Sequence, residues 1–188
     1  MIDTDPLPPG QVWAISPGGQ EASPSLYRIE ATVGPGNGVR ILNTPVPPAF
    51  RESVRYGEQN LYVSAKELVG DRDPRSHEFS IQLRSMDIDS SGQGLGLAVL
   101  LSLCGDLIER SVKGGLIIVG ALNLGGSVEM VPNPVSVAEL AVEKGAATLL
   151  MPISSRKQLF ELSDDMATKI SIEFYADSID ALTKAIMD

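Results

Sequence analysis

The sequence predicts an α/β fold, and three observations carry that expectation. A glycine-rich turn opens an unusually apolar helix at mid-chain. Strand and helix patterns alternate through the second half. The first fifty residues hold strand-like runs set apart by glycine and proline. In the central helix, residues 97–108, Leu97, Ala98, Val99, Leu100, Leu101, Leu103, Cys104, Leu107 and Ile108 occupy nearly every face, so protein must enclose it on most sides. The run is too short to cross a bilayer, and Asp106 and Glu109 close it.

Residues 1–10 form an acidic, proline-rich lead that reads as a linker cut from a longer chain. One domain is expected over 11–188, with a β-rich part at about 11–48 and an α/β part at about 49–188. Residues 11–16 read as a strand. Residues 26–33 and 39–42 read as two more, joined as a hairpin by Gly34-Pro35-Gly36-Asn37-Gly38. That glycine run is not a phosphate loop, because it lacks the Gly-Lys-Ser/Thr ending and links two strands. After Pro45, Pro47 and Pro48, a helix is predicted over 49–69 on the spacing of Phe50, Val54, Leu61, Ala65 and Leu68, with Gly57 as its weak point. Asp71-Arg72-Asp73-Pro74 is a polar turn, and residues 78–83 alternate as a strand.

Beyond the central helix, residues 116–119 are continuously apolar, as in a strand buried on both faces. Residues 120–131 read as a short hairpin turning at Gly125-Gly126. Pro132-Asn133-Pro134 opens a helix over 135–144, which Gly145 caps. Residues 147–151 and 169–175 read as strands. Ser154 is expected to cap a helix through Leu162, and Ser178 one through Met187.

The formal charge of −9 argues against a broad nucleic-acid surface. The single cysteine, Cys104, has no partner for an internal disulfide and reads as a core thiol. His77 is the only histidine, so no histidine–cysteine metal set is available. No stretch resembles a signal peptide or a membrane span, and the expected compartment is the cytoplasm.

The loop before the central helix holds the chemical question. Gly92-x-Gly94-x-Gly96 misses the glycine spacing of a dinucleotide site and reads as close packing at a helix start. Asp89, Ser90 and Ser91 read as turn residues that bond their own backbone.

From the 78–83 strand to the end, the chain resembles the proteolytic domain of Lon-type ATP-dependent proteases. The glycine loop and its apolar helix carry the likeness, as do the 120–131 hairpin, Thr148-Leu149-Leu150-Met151-Pro152, Arg156-Lys157-Gln158-Leu159 and Asp180-Ala181-Leu182. Upstream, Arg51-Glu52-Ser53 fits as well. The resemblance implies the Lon proteolytic-domain fold, of the ribosomal protein S5 domain 2-like kind. It also implies a serine–lysine endopeptidase, in which burial keeps the lysine neutral so that it can take the serine proton. The family's serine position falls on Gly94 and its lysine position on Val135, which removes both the hydroxyl and the amine. A displaced nucleophile at Ser91 or Ser90 would still lack a base. Lys144 lies nine residues past Val135, about 13 Å along a helix, and no spacing argues for Lys113.

Gly10-Gln11-Val12-Trp13, Ser25-Leu26-Tyr27-Arg28-Ile29-Glu30 and Phe174-Tyr175-Ala176-Asp177 further resemble the Lon-related family of bacterial phage-exclusion (BREX) systems, where a Lon-like domain follows an AAA+ ATPase. This resemblance implies a ring-shaped homo-oligomer and ATP with magnesium held upstream, with no cofactor in this domain. It implies DNA contact only through other domains, and no membrane. Three functions follow as expectations: a non-catalytic assembly module, an active peptidase using a displaced serine, or a binding module that holds a peptide in the old groove.

Overall fold

The computed structural model describes residues 1–18, 23–87 and 92–186. Among these residues seven strands form one sheet: β1 (Gln11–Ser16), β2 (Ser25–Pro35), β3 (Gly38–Ile41), β4 (His77–Ser85), β5 (Leu116–Ile118), β6 (Thr148–Pro152) and β7 (Ser171–Tyr175). Their spatial order is β3-β4-β2-β1-β5-β6-β7. The helices are α1 (Pro48–Val63), α2 (Ala65–Val69), α3 (Gly96–Leu107), α4 (Pro134–Glu143), α5 (Asp164–Ala167) and α6 (Ser178–Ala185).

Period-two alternation sorts the side chains to the two faces of the sheet. Val12, Ala14, Ile118 and Leu150 pack with α1, α2, α3 and α6 on one face. Ile15, Ile117, Val119, Leu149 and Met151 pack with α4 on the other. The parallel strands β5 and β6 are therefore covered on both sides, which is why they read as unbroken apolar runs. In the antiparallel pair β2–β4, the second face is polar. There Glu30 pairs with Arg28 at 3.1 Å and with Arg84 at 2.7 Å.

The expected hairpin of 26–33 with 39–42 does not form. β4 takes the full edge of β2, from Tyr27↔Ser85 to Pro35↔His77, and β3 lies parallel to β4 on its far side. The ladder to β4 runs nine residues and that between β3 and β4 only four, so the distant partner outcompetes the local turn. The chain returns from β3 to β4 through α1 and α2, as a parallel connection requires.

The helix expected over 49–69 breaks at Ser64 into α1 and α2. Gly57 has a packing role inside it: a Cβ there would lie 2.8 Å from Val99 Cγ1, so the missing side chain lets α1 rest on α3. α3 is buried along its length, Cys104 included, and burial pushes that thiol well above its usual range. Ser154 caps no helix. Residues 153–155 and 157–161 are short 3-10 turns, and Ser163 caps α5 by accepting from the Met166 N–H. Asp177, rather than Ser178, caps α6, its carboxylate accepting from Asp180 N–H at 2.8 Å. α6 ends at Ala185, and Met187 lies outside the described residues. Gly145 does end α4, in a Schellman arrangement of Gly145 N–H to Val142 and Ala146 N–H to Ala141.

Residues 1–10 lie back across one end of the domain. Ile2 is 7% exposed and packs with the α4 face of the sheet, its N–H bonding the Lys144 carbonyl at 2.8 Å. Gly10 closes over Asp106 near the end of α3, and its carbonyl accepts from Ser102 Oγ at 2.6 Å. Burial, aided by Glu109, raises Asp106 from 3.8 to about 6, and its Oδ2 has no hydrogen-bond partner among the described residues. The folded state thus holds the proton more tightly than the unfolded chain, and stability falls as pH rises from about 4 to about 6. Asp106→Asn is expected to flatten that slope and raise the melting temperature at neutral pH. Melting curves across this range check it, and an unchanged slope would contradict the assignment.

Among the described residues, no helix is long and apolar enough to cross a membrane, and no group of histidine, cysteine, aspartate or glutamate could hold a metal ion.

Candidate functional site

A cavity of about 380 Å³ opens where α1, the entry to α3 and the 121–132 loop meet. The entry is built from glycines. Gly92 and Gly94 take φ of +70° and +67°, a region that side chains disfavour. A Cβ on Gly96 would lie 3.2 Å from the Leu122 backbone nitrogen, and one on Gly94 would lie 3.3 Å from Pro17. Close approach at the helix start therefore explains the glycine pattern.

Among the described residues, no side chain caps α3 in the ordinary way. Leu95 N–H donates to Ser53 Oγ at 3.3 Å, and Leu97 N–H to the Gly120 carbonyl at 3.2 Å. These bonds answer part of the donor deficit at the helix start and tie it to α1 and to the loop after β5. The 121–132 loop is a rudimentary hairpin with one bridge, Leu122↔Val128, in place of the expected paired strands. Gly126 N–H bonds Asn123 O at its tip, and Asn60 Nδ2 fastens Asn123 O to α1 at 3.2 Å.

Glu52, Ser53 and Tyr56 line the cavity from α1, with Gln93 and Gly94 at the helix entry and Glu129 on the loop. Tyr56 OH donates to Glu52 Oε1 at 2.8 Å. That bond, the Glu52 charge, slight desolvation and the Glu129 charge all hold the phenol above its usual range. The lining thus carries two carboxylates and a protonated phenol. No lysine, arginine or histidine lines it among the described residues. Ser53, the lining serine, accepts from Leu95 N–H, and among the described residues no lysine or histidine lines the cavity to act as its base.

The structure places Gly94 in the cavity wall. Val135 lies in the first turn of α4, sits partly buried against the α4-face core, and is not among the residues lining the cavity. Lys144 caps the far end of α4 and bonds Asp87 at 2.8 Å. Burial works against the Asp87 charge, but the Leu26 N–H and Lys144 outweigh it and hold the carboxyl low. Lys113 is exposed before β5. His77 Nδ1 contacts the Asp73 carbonyl at 2.7 Å, away from the cavity. Asp89, Ser90 and Ser91 lie outside the described residues.

Sequence reasoning gave Glu52 and Ser53 no role and missed Tyr56 and Glu129. The one-turn spacing of Glu52 and Tyr56 on an exposed helix face was a usable signal. Glu129 had none, because a loop position gains meaning only from what it folds against.

No family model matches the chain. It is 29% identical over 167 residues to the Lon-like protease BrxL of Escherichia coli O9:H4 (strain HS), which covers 86% of this chain and 23% of that protein. It is 21% identical over 181 residues to the Lon-like protease BrxL of Bacillus cereus (strain H3081.97), covering 95% of this chain and 26% of that protein. A Lon protease of Aster yellows witches'-broom phytoplasma (strain AYWB) is 22% identical over 154 residues, 78% of this chain and 19% of that protein. The chain spans about a quarter of the length of the two BrxL relatives.

Proposed function

We propose that this Lon-like chain, related to BrxL, is a non-catalytic module that holds the subunits of an ATPase assembly in register. The observation that carries the reading is the cavity beside α3. Gly94 stands in its wall, and among the described residues no amine or imidazole reaches it. A Lon-type pair needs a hydroxyl and a neutral lysine in contact. With glycine and valine at the two family positions, neither reagent is supplied.

In this reading the domain keeps the architecture for its contacts with other copies. The parent is a cytoplasmic, ring-shaped homo-oligomer, serving phage exclusion as the resembling BREX family does. ATP and magnesium bind in an upstream AAA+ domain, and DNA is reached only through other domains.

A fluorophosphonate probe tests the reading directly. The chain is expected to remain unlabelled and to leave an unfolded protein substrate intact, as judged by mass spectrometry. Ser91→Ala is expected to behave identically to the parent sequence. Labelling that disappears in Ser91→Ala or Ser90→Ala, with the fold intact, would establish the displaced-serine peptidase instead.

A further inference from the structure

The sheet ends on one side at β3, four residues that pair with β4 alone. No other backbone hydrogen bond reaches residues 38–41 from the outer side among the described residues. Such an edge presents free N–H and C=O groups and can template an added strand. Here it also borders a groove of about 770 Å³, lined by Val39, Arg40 and Ile41 from β3 and by Arg51, Val54 and Arg55 from α1.

The polar groups of this groove are not equally satisfied. Arg40 is paired with Glu78 at 2.7 Å. The two carboxylates in the lining, Glu52 and Glu58, accept from Tyr56 OH at 2.8 Å and Tyr62 OH at 2.7 Å, one turn along their own helix. Burial and the Glu58 bond push the Tyr62 phenol up to about 12, so it stays a donor. Arg51 and Arg55 are exposed and form no hydrogen bond or ion pair among the described residues. They stand four residues apart on one helix face, in a chain of net charge −9, and the nearby Glu52 and Glu58 are held by tyrosines and not paired with them. The groove therefore offers a strand edge, apolar side chains from Val39, Ile41 and Val54, and two exposed guanidiniums with no protein partner among the described residues.

We propose that this groove is a docking site for an extended acidic peptide segment of about four to six residues. The segment adds to the outer edge of β3. Alternate side chains on an added strand share one face, so carboxylates at every second position meet Arg51 and Arg55. Main-chain bonding to β3 supplies affinity, and the guanidinium pair selects for acidic side chains.

Fluorescence anisotropy with the whole chain tests this, using a fluorescein-labelled, blocked hexapeptide of alternating threonine and glutamate. Binding is expected, weakened by added salt, and reduced at least tenfold in the Arg51→Glu/Arg55→Glu variant. Arg51→Lys/Arg55→Lys is expected to retain most of it. Both residues are exposed, and melting curves matching the parent confirm that the variants fold. Any one of four results overturns the proposal. They are no binding up to about 1 mM, equal binding of the threonine–lysine peptide, unchanged binding by the double glutamate variant, and displacement of the peptide by a single-stranded oligonucleotide or by self-association of the chain.

Discussion

Gly57→Val is expected to destabilise the protein by about 3 kcal/mol and to lower its melting temperature by roughly 6–12 °C. Glycine within a helix ordinarily costs about 1 kcal/mol against alanine, so a side chain that found room would stabilise α1. Here a Cβ lies 2.8 Å from Val99 Cγ1 and 3.2 Å from the Leu100 backbone nitrogen. The second contact is backbone and has no rotamer to escape through. α1 also cannot back away freely, because Ser53 accepts from Leu95 and Asn60 bonds Asn123 O on the same side. Steric conflict therefore outweighs propensity. Thermal unfolding followed by circular dichroism decides the sign, and a variant that melts at or above the parent temperature would refute the close-approach account.

Leu100→Ala is expected to cost about 3 kcal/mol, within the range for large-to-small changes at buried sites. Leu100 is fully buried in α3 and belongs to the cluster where α1 and α3 meet β1, β2 and β4. Fixed elements surround it on several sides, so collapse into the vacated space is limited and a cavity term adds to the lost transfer energy. Denaturant unfolding measures the loss, and a change below about 1 kcal/mol would show that the site can collapse.

The elements that showed in the sequence are those whose signal is local and whose burial is extreme. α3 was legible because apolar residues cover every face of it. β5 and β6 were legible because strands covered on both sides cannot alternate. The missed hairpin has the opposite cause: Gly34 to Gly38 has sound turn chemistry, but β4, arriving more than forty residues later, decides which strand pairs with β2. Caps were misassigned by a single position at Ser178, because Asp177 is an equally good acceptor and sits where it can meet Asp180 N–H. At Ser154 the serine was present but the helix behind it was not.

The candidate site was legible only along the chain. The glycine loop and the helix it opens were evident, and the structure puts Gly94 in the cavity wall. The acid character of that cavity was not, since Glu52 and Glu129 are far apart in sequence and are joined by the way the loop after β5 folds against α1. Gly94 lines the cavity while Val135 packs partly buried against the core on the α4 side, a difference the order of residues could not convey.

The position of β1 has a mechanical consequence. It joins the antiparallel strands to the parallel ones, with six paired positions toward β2 but only Trp13↔Ile117 and Ala14↔Ile118 toward β5. That seam is the shortest ladder in the sheet. Side chains on both faces cross it, Ala14 and Ile118 in one core and Ile15 and Ile117 in the other, so packing more than main-chain bonding joins the two halves of the sheet.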